Sequence, residues 1–191
     1  MKGFVLSFLV FAWAVAVHAQ GTVNFVNVFP NFANPVVKAP VYTSDGVTLL
    51  SGSQFMAELL GGASADSLVS IATTGFLTGA GAGYYNGGAQ QIPGVGGGNI
   101  AWVEVRVWNA SSGSSFLQAQ ASGLPNSWWQ SSVFTVIPGG EGAPPFAPAA
   151  LTGLGTSPVY LNSVPEPSAL TFLSLGGILV LRRCLTSRGN E

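Results

Sequence analysis

The residues with the most chemistry to offer lie in one stretch, Ala101 to Trp108, where apolar and functional side chains alternate. In a β-strand this period of two puts Ala101, Val103, Val105 and Val107 on one face and Trp102, Glu104, Arg106 and Trp108 on the other. The valine face is expected to be core. Two indoles flanking a carboxylate and a guanidinium suit a carbohydrate-binding platform, in which flat rings stack on sugars while Glu104 and Arg106 bind hydroxyls. The same four residues also suit packing. Arg106 would then lie over Trp102 or Trp108 as a cation–π pair, Glu104 would satisfy it, and the rings would be covered by a loop or a second sheet. Tyr84, Tyr85 and Trp129 are the further aromatics that could join a glycan site, although alternation at Trp128-Trp129 sends one ring to each face.

Hydrolytic chemistry has little to work with. The only histidine is His18 and the only cysteine is Cys184, both near the ends of the chain. The stretch between them therefore cannot supply a Ser-His-Asp triad, a Cys-His dyad or a zinc site built on either residue, and it cannot form a disulfide. A glycoside-cleaving enzyme would need two facing carboxylates about 5 to 10 Å apart. The candidates are Asp45, Glu58, Asp66, Glu104 and Glu141, and their spacing in the sequence pairs no two of them. No D-x-D-x-D-G calcium loop occurs. The glycines at 79, 81, 83, 87 and 88 and at 94, 96, 97 and 98 satisfy neither G-x-G-x-x-G nor G-x-x-x-x-G-K-[ST], and they are expected to mark loops. No cofactor and no metal is predicted.

Charge narrows the partners. Between residues 20 and 163 the basic side chains are Lys38 and Arg106 alone, against the five carboxylates just named, a net charge of minus three. Nucleic acid is excluded as a partner on this reading, because each phosphate contact calls for a lysine or arginine.

The elements that would carry these residues read as short strands between turns. Thr22 to Val28 alternates, with Val23, Phe25 and Asn27 on one side. Val41-Tyr42-Thr43 and Thr48-Leu49-Leu50 flank Asp45-Gly46, a tight-hairpin signal, because both residue types tolerate positive φ. Gln54 to Leu60 is predicted as a strand, with a competing short helix capped by Gly61-Gly62. Ser67 to Ala72, Thr74 to Leu77, the region of Tyr84-Tyr85, Ser131 to Ile137 and Pro158 to Leu161 complete the strands. Ser114 to Ala121 fits a short helix or a strand. Such spacing predicts an all-β fold, a single β-sandwich or jelly-roll-like domain over residues 20–163.

Both ends of the chain are membrane-seeking. Met1-Lys2, the apolar run Gly3 to Val17 and the small-x-small sequence Val17-His18-Ala19 form a secretory signal over residues 1–19, with cleavage after Ala19. Residues 164–191 contain Pro165, Glu166 and Pro167, an apolar run from Ser168 to Leu181, and the stop Arg182-Arg183. This run is shorter than the ~20 residues of an untilted span, so it predicts a provisional hold in the membrane. Lys2 before the first run and Arg182, Arg183 and Arg188 after the second keep the flanks inside and the middle outside.

Pro165-Glu166-Pro167, the helix that follows at once and Arg182-Arg183 together resemble the PEP-CTERM sorting tail of exported bacterial proteins. The resemblance implies a membrane-embedded exosortase-like enzyme as partner, cleavage near the motif, and release toward the cell surface in bacteria that make exopolysaccharide. Gly21-Thr22-Val23-Asn24-Phe25, Val41-Tyr42 before Asp45-Gly46, and Val105-Arg106-Val107-Trp108 are similar to the bodies of a group of exported proteins with that tail, which brings no assigned activity. The expected protein is thus a non-enzymatic one. It is held transiently at the inner membrane, then found in the periplasm, at the surface or outside, with extracellular polysaccharide as its candidate partner.

Overall fold

Period-two alternation is the pattern that builds this fold. A computed structural model of the chain describes residues 20–29, 36–140 and 147–163. The predicted cleavage residue Ala19, the motif Pro165-Glu166-Pro167 and the stop Arg182-Arg183 lie outside the described residues, as do His18, Glu141 and Cys184. The strands in chain order are β1 (Gln20–Val26), β2 (Val28–Phe29), β3 (Val37–Lys38), β4 (Val41–Tyr42), β5 (Phe55–Gly62), β6 (Val69–Gly75) and β7 (Asn86–Gly96). They continue with β8 (Ala101–Asn109), β9 (Trp128–Gln130), β10 (Phe134–Val136), β11 (Ala149–Ala150) and β12 (Val159–Tyr160), and among the described residues one α-helix, α1 (Phe116–Ala121), follows β8. The architecture is all-β, as the strand-and-turn spacing predicts.

Two sheets carry most of the structure. One has the order β11-β1-β7, and the other β10-β8-β5-β6 with β9 also paired to β8. Their inward faces meet in one core. Val23 and Phe25 from β1, Ile92 and Val95 from β7, Ala57 and Leu59 from β5, and Val103, Val105 and Val107 from β8 belong to a single buried cluster. Leaving water is what stabilises this arrangement, at about 1.5–3 kcal/mol for each large apolar side chain fully buried.

Alternation in β1 carries one residue past its end, so that Val23, Phe25 and Asn27 are all inside. Asn27 survives there because every polar atom of its amide is used: Nδ2 donates to the carbonyls of Ala39 (2.8 Å) and Gly83 (2.9 Å), and Oδ1 accepts from the Tyr85 N–H (2.8 Å). The amide thus ties β1 to two separate segments, one at Ala39 and one at Gly83 to Tyr85.

The Asp45-Gly46 hairpin forms as a wider turn than two residues. Thr43 N–H donates to Thr48 O (2.9 Å), Leu50 N–H to Val41 O (3.0 Å), and Gly46 takes φ +70°. The Asp45 carboxylate accepts from the hydroxyls of Thr43 and Thr48 and from the N–H groups of Val47 and Thr48. These bonds, the Thr43 hydroxyl first, hold its carboxyl well below the usual carboxylate range.

Several local expectations change. The glycines at 87, 88, 94 and 96 lie within β7, the longest strand, rather than in loops. A Cβ at Gly87 would run into the Phe25 ring, so glycine there permits close approach between strands. Gly61 and Gly62 extend β5 instead of capping a helix. Ser67 to Ala72 and Thr74 to Leu77 contribute to one strand, β6, and Ser114 to Ala121 resolves as helix, with the Ser115 side chain accepting from Gln118 N–H as its N-cap.

Candidate functional site

Strand β8 separates its two faces as its alternation requires: Ala101, Val103, Val105 and Val107 have no exposed surface. The opposite face carries the chemistry. Here Trp102 and Arg106 are half-buried, whereas Glu104 is 4% and Trp108 6% exposed. A two-indole platform open to solvent is therefore not formed, since Trp108 presents no free ring face. The cover is α1, whose Phe116 and Ala119 are buried against Trp108, with Met56 and Trp128 packed around them. Phe116 and Trp128 meet edge to face at 5.9 Å and 88°.

Arg106 and Glu104 pair as the packing reading expects, with Arg106 Nε donating to Glu104 Oε1. The ring beneath the guanidinium differs from that expectation. Arg106 Cζ lies 4.9 Å from the centroid of Phe116, so the helix and neither tryptophan supplies the cation–π partner. The physical reason is the cover itself: α1 lays Phe116 across the outer face, which a strand-only reading of β8 cannot include.

Antiparallel register brings in residues from β5. Met56 stands opposite Trp108, Glu58 opposite Arg106, and Leu60 opposite Glu104. Two of the five candidate carboxylates, Glu58 and Glu104, thus become diagonal neighbours on one face, a relation that chain spacing alone does not show. Each already has a partner: Glu104 holds Arg106, and Glu58 accepts the Ser70 hydroxyl. Asp45 is committed to its turn, and Asp66 is in an exposed turn between β5 and β6. Among the described residues no group of three or more His, Cys, Asp or Glu side chains could hold a metal ion.

Between α1 and the outer face of β5 and β8 lies a groove of about 670 Å³, lined by Met56, Glu58, Arg106, Trp108, Ser114 and Phe116 among others. Of the four residues proposed from sequence, Arg106 and Trp108 line it, whereas Trp102 and Glu104 do not. Glu58, Met56 and Phe116 are among the additions. One atom here is out of balance. Among the described residues, the Trp108 indole N–H is a buried donor with no hydrogen-bond partner. Such a group costs roughly 1–3 kcal/mol in lost hydration.

Tyr84, Tyr85 and Trp129, the other aromatics offered for a glycan site, are turned inward. Tyr85 is 2% exposed and packs between Phe25 (5.0 Å) and Phe76 (5.5 Å), Tyr84 is also buried, and Trp129 lies against the main core cluster. Burial pushes the Tyr85 hydroxyl far above its ordinary range. Trp128 and Trp129 do take opposite faces, one on the groove cluster and one on the core.

At the C-terminal end of the described body, Asn162 ties the chain down. Its Oδ1 accepts from the N–H groups of Ser127 (2.8 Å) and Trp128 (2.9 Å), and its Nδ2 donates to Leu124 O (2.8 Å). Comparison with protein-family models, curated proteins and solved structures finds no match for this chain. Among the described residues no helix is long and apolar enough to cross a membrane.

Proposed function

We propose that this chain is a non-catalytic exported protein with a structural or interaction role at the cell surface or in extracellular matrix. In this reading the two principal sheets form a β-sandwich of jelly-roll type, residues 1–19 are removed on export, and residues 164–191 hold the body at the inner membrane until an exosortase-like enzyme cuts near Pro165-Glu166-Pro167. The observation that carries the non-catalytic part is that three of the five carboxylates between residues 20 and 163 are already engaged. Glu104 is spent on Arg106, Glu58 on Ser70, and Asp45 on its own turn. With no histidine or cysteine between residues 20 and 163, a proton-transfer or nucleophilic centre lacks its usual parts.

The export part is supported by the order of the sequence signals: basic residue, apolar run and cleavage site at one end, and Pro-Glu-Pro, apolar run and arginines at the other. Fractionation of a bacterium that makes exopolysaccharide tests it. The native chain is expected outside the inner membrane, and a chain with Pro165, Glu166 and Pro167 all changed to alanine is expected to accumulate in that membrane. Equal distribution of the two would reject the sorting role.

A further inference from the structure

We propose that the groove between α1 and the outer face of β5 and β8 binds a neutral pyranose unit of a polysaccharide, with α1 as its movable wall. This rests on the surface or matrix reading above and names the contact through which the body would engage polymer. The volume, about 670 Å³, falls within the ~300–1,000 Å³ common for small-molecule sites. Its lining combines apolar surface from Met56, Trp108 and Phe116 with the polar groups of Glu58, Arg106 and Thr73. A sugar ring has the same split character, with C–H faces for the aromatic wall and hydroxyls for the carboxylate and guanidinium.

The unpartnered Trp108 N–H points to an occupant that accepts a hydrogen bond. This atom is covered, so a ligand must displace part of the wall to reach it. The wall is fastened for such a movement. Among the described residues, the side-chain and turn hydrogen bonds of residues 111–122 all end within four residues along the chain, as in Ser114 to Gln118 Oε1, Gln118 N–H to Ser115 and Ser122 to Ala119. Contact with the sheet rests instead on Phe116, Ala119 and the Arg106 cation. A short segment held by local bonds and two buried side chains can open without unzipping a sheet.

Charge selects the class of sugar. Arg106 is neutralised by Glu104, which lies outside the lining, so the Glu58 carboxylate leaves the groove with net negative charge. A uronate, sulfate or phosphate would meet net negative charge, whereas a neutral hydroxyl meets both donors and acceptors.

The full chain, labelled with ¹⁵N-tryptophan in lauryldimethylamine oxide, a detergent without a sugar head group, is titrated with cellohexaose, mannohexaose and hexagalacturonate. At least one neutral hexasaccharide is expected to shift the Trp108 indole N–H resonance saturably, with a dissociation constant below about 1 mM. Trp108→Phe, which keeps a ring but removes the N–H, is expected to weaken binding about three- to tenfold. Glu58→Ala, which removes the groove carboxylate together with its bond from the Ser70 hydroxyl, is expected to weaken it about threefold and serves if Trp108→Phe fails to fold. An unmoved resonance with both neutral probes at about 10 mM, tighter binding of hexagalacturonate, or unchanged affinity in Glu58→Ala would overturn the proposal. The assay does not depend on where a cell sends the protein. Failed binding by a correctly sorted chain removes the groove alone, and binding by a chain that is never sorted removes the export reading alone.

Discussion

Arg106→Met asks what the guanidinium does for the outer face of β8. In the native structure Glu104 is 4% exposed and its carboxylate receives the Arg106 Nε–H, while the Arg106 side chain retains 24% exposure. Removing one partner of a fully buried ion pair costs about 3–5 kcal/mol, because the other charge stays behind without compensation. Partial exposure on the arginine side lets water reach the orphaned carboxylate, which brings this down to about 2–3 kcal/mol. Loss of the cation above Phe116 adds roughly 0.5–1 kcal/mol. A total near 3 kcal/mol is therefore expected in urea unfolding monitored by tryptophan fluorescence. The second half of the test is Glu104→Gln combined with Arg106→Met. Removing both charges should restore more than half of the loss, since the stranded carboxylate is then gone. A single variant within about 0.5 kcal/mol of the native chain, or a double variant as unstable as the sum of the singles, would refute the assignment of Arg106 as a strut for a buried carboxylate.

Two further substitutions probe the frame of the fold away from the groove. Asn27→Leu should destabilise by about 3–5 kcal/mol in the same unfolding assay, because it orphans the Tyr85 N–H and the Ala39 carbonyl, while the Gly83 carbonyl keeps its bond from Val41 N–H; a loss below about 1 kcal/mol would show that these groups find other partners. Asp45 has a folded-state pKa depressed below its ordinary value of 3.8. Its contribution is therefore complete above that value and is lost as pH falls below it. Urea midpoints measured from pH 5 downward should fall more steeply for the native chain than for Asp45→Asn, and identical slopes would contradict the four-bond role of this carboxylate in the turn.

How far the sequence discloses the structure depends on the range of the interaction. The valine face of β8 and the Val23, Phe25, Asn27 face of β1 are local consequences of period two, and both are buried as alternation requires. Asp45-Gly46 likewise marks its turn through chemistry contained in six residues. The groove is different in kind. It depends on Glu58 standing opposite Arg106, a pairing of residues 48 positions apart, and on Phe116 reaching across from a six-residue helix too short for a 3.6-residue period to show. Sequence alone leaves Ser114 to Ala121 as a short helix or a strand, and the Ser115 N-cap belongs to the helix. Gly87 and its neighbours mislead for a related reason. In isolation they read as loop, but in β7 the absence of a side chain accommodates Phe25 from β1, a contact no local window contains.

Intact-mass analysis of the protein recovered from the surface and medium of a bacterium that makes exopolysaccharide tests the central claim most directly. The expected polypeptide begins at Gln20 and ends near Pro165-Glu166-Pro167, without the apolar run and arginines beyond. Recovery from the cytosol of an unprocessed 191-residue chain, still running from Met1 to Glu191, would contradict it.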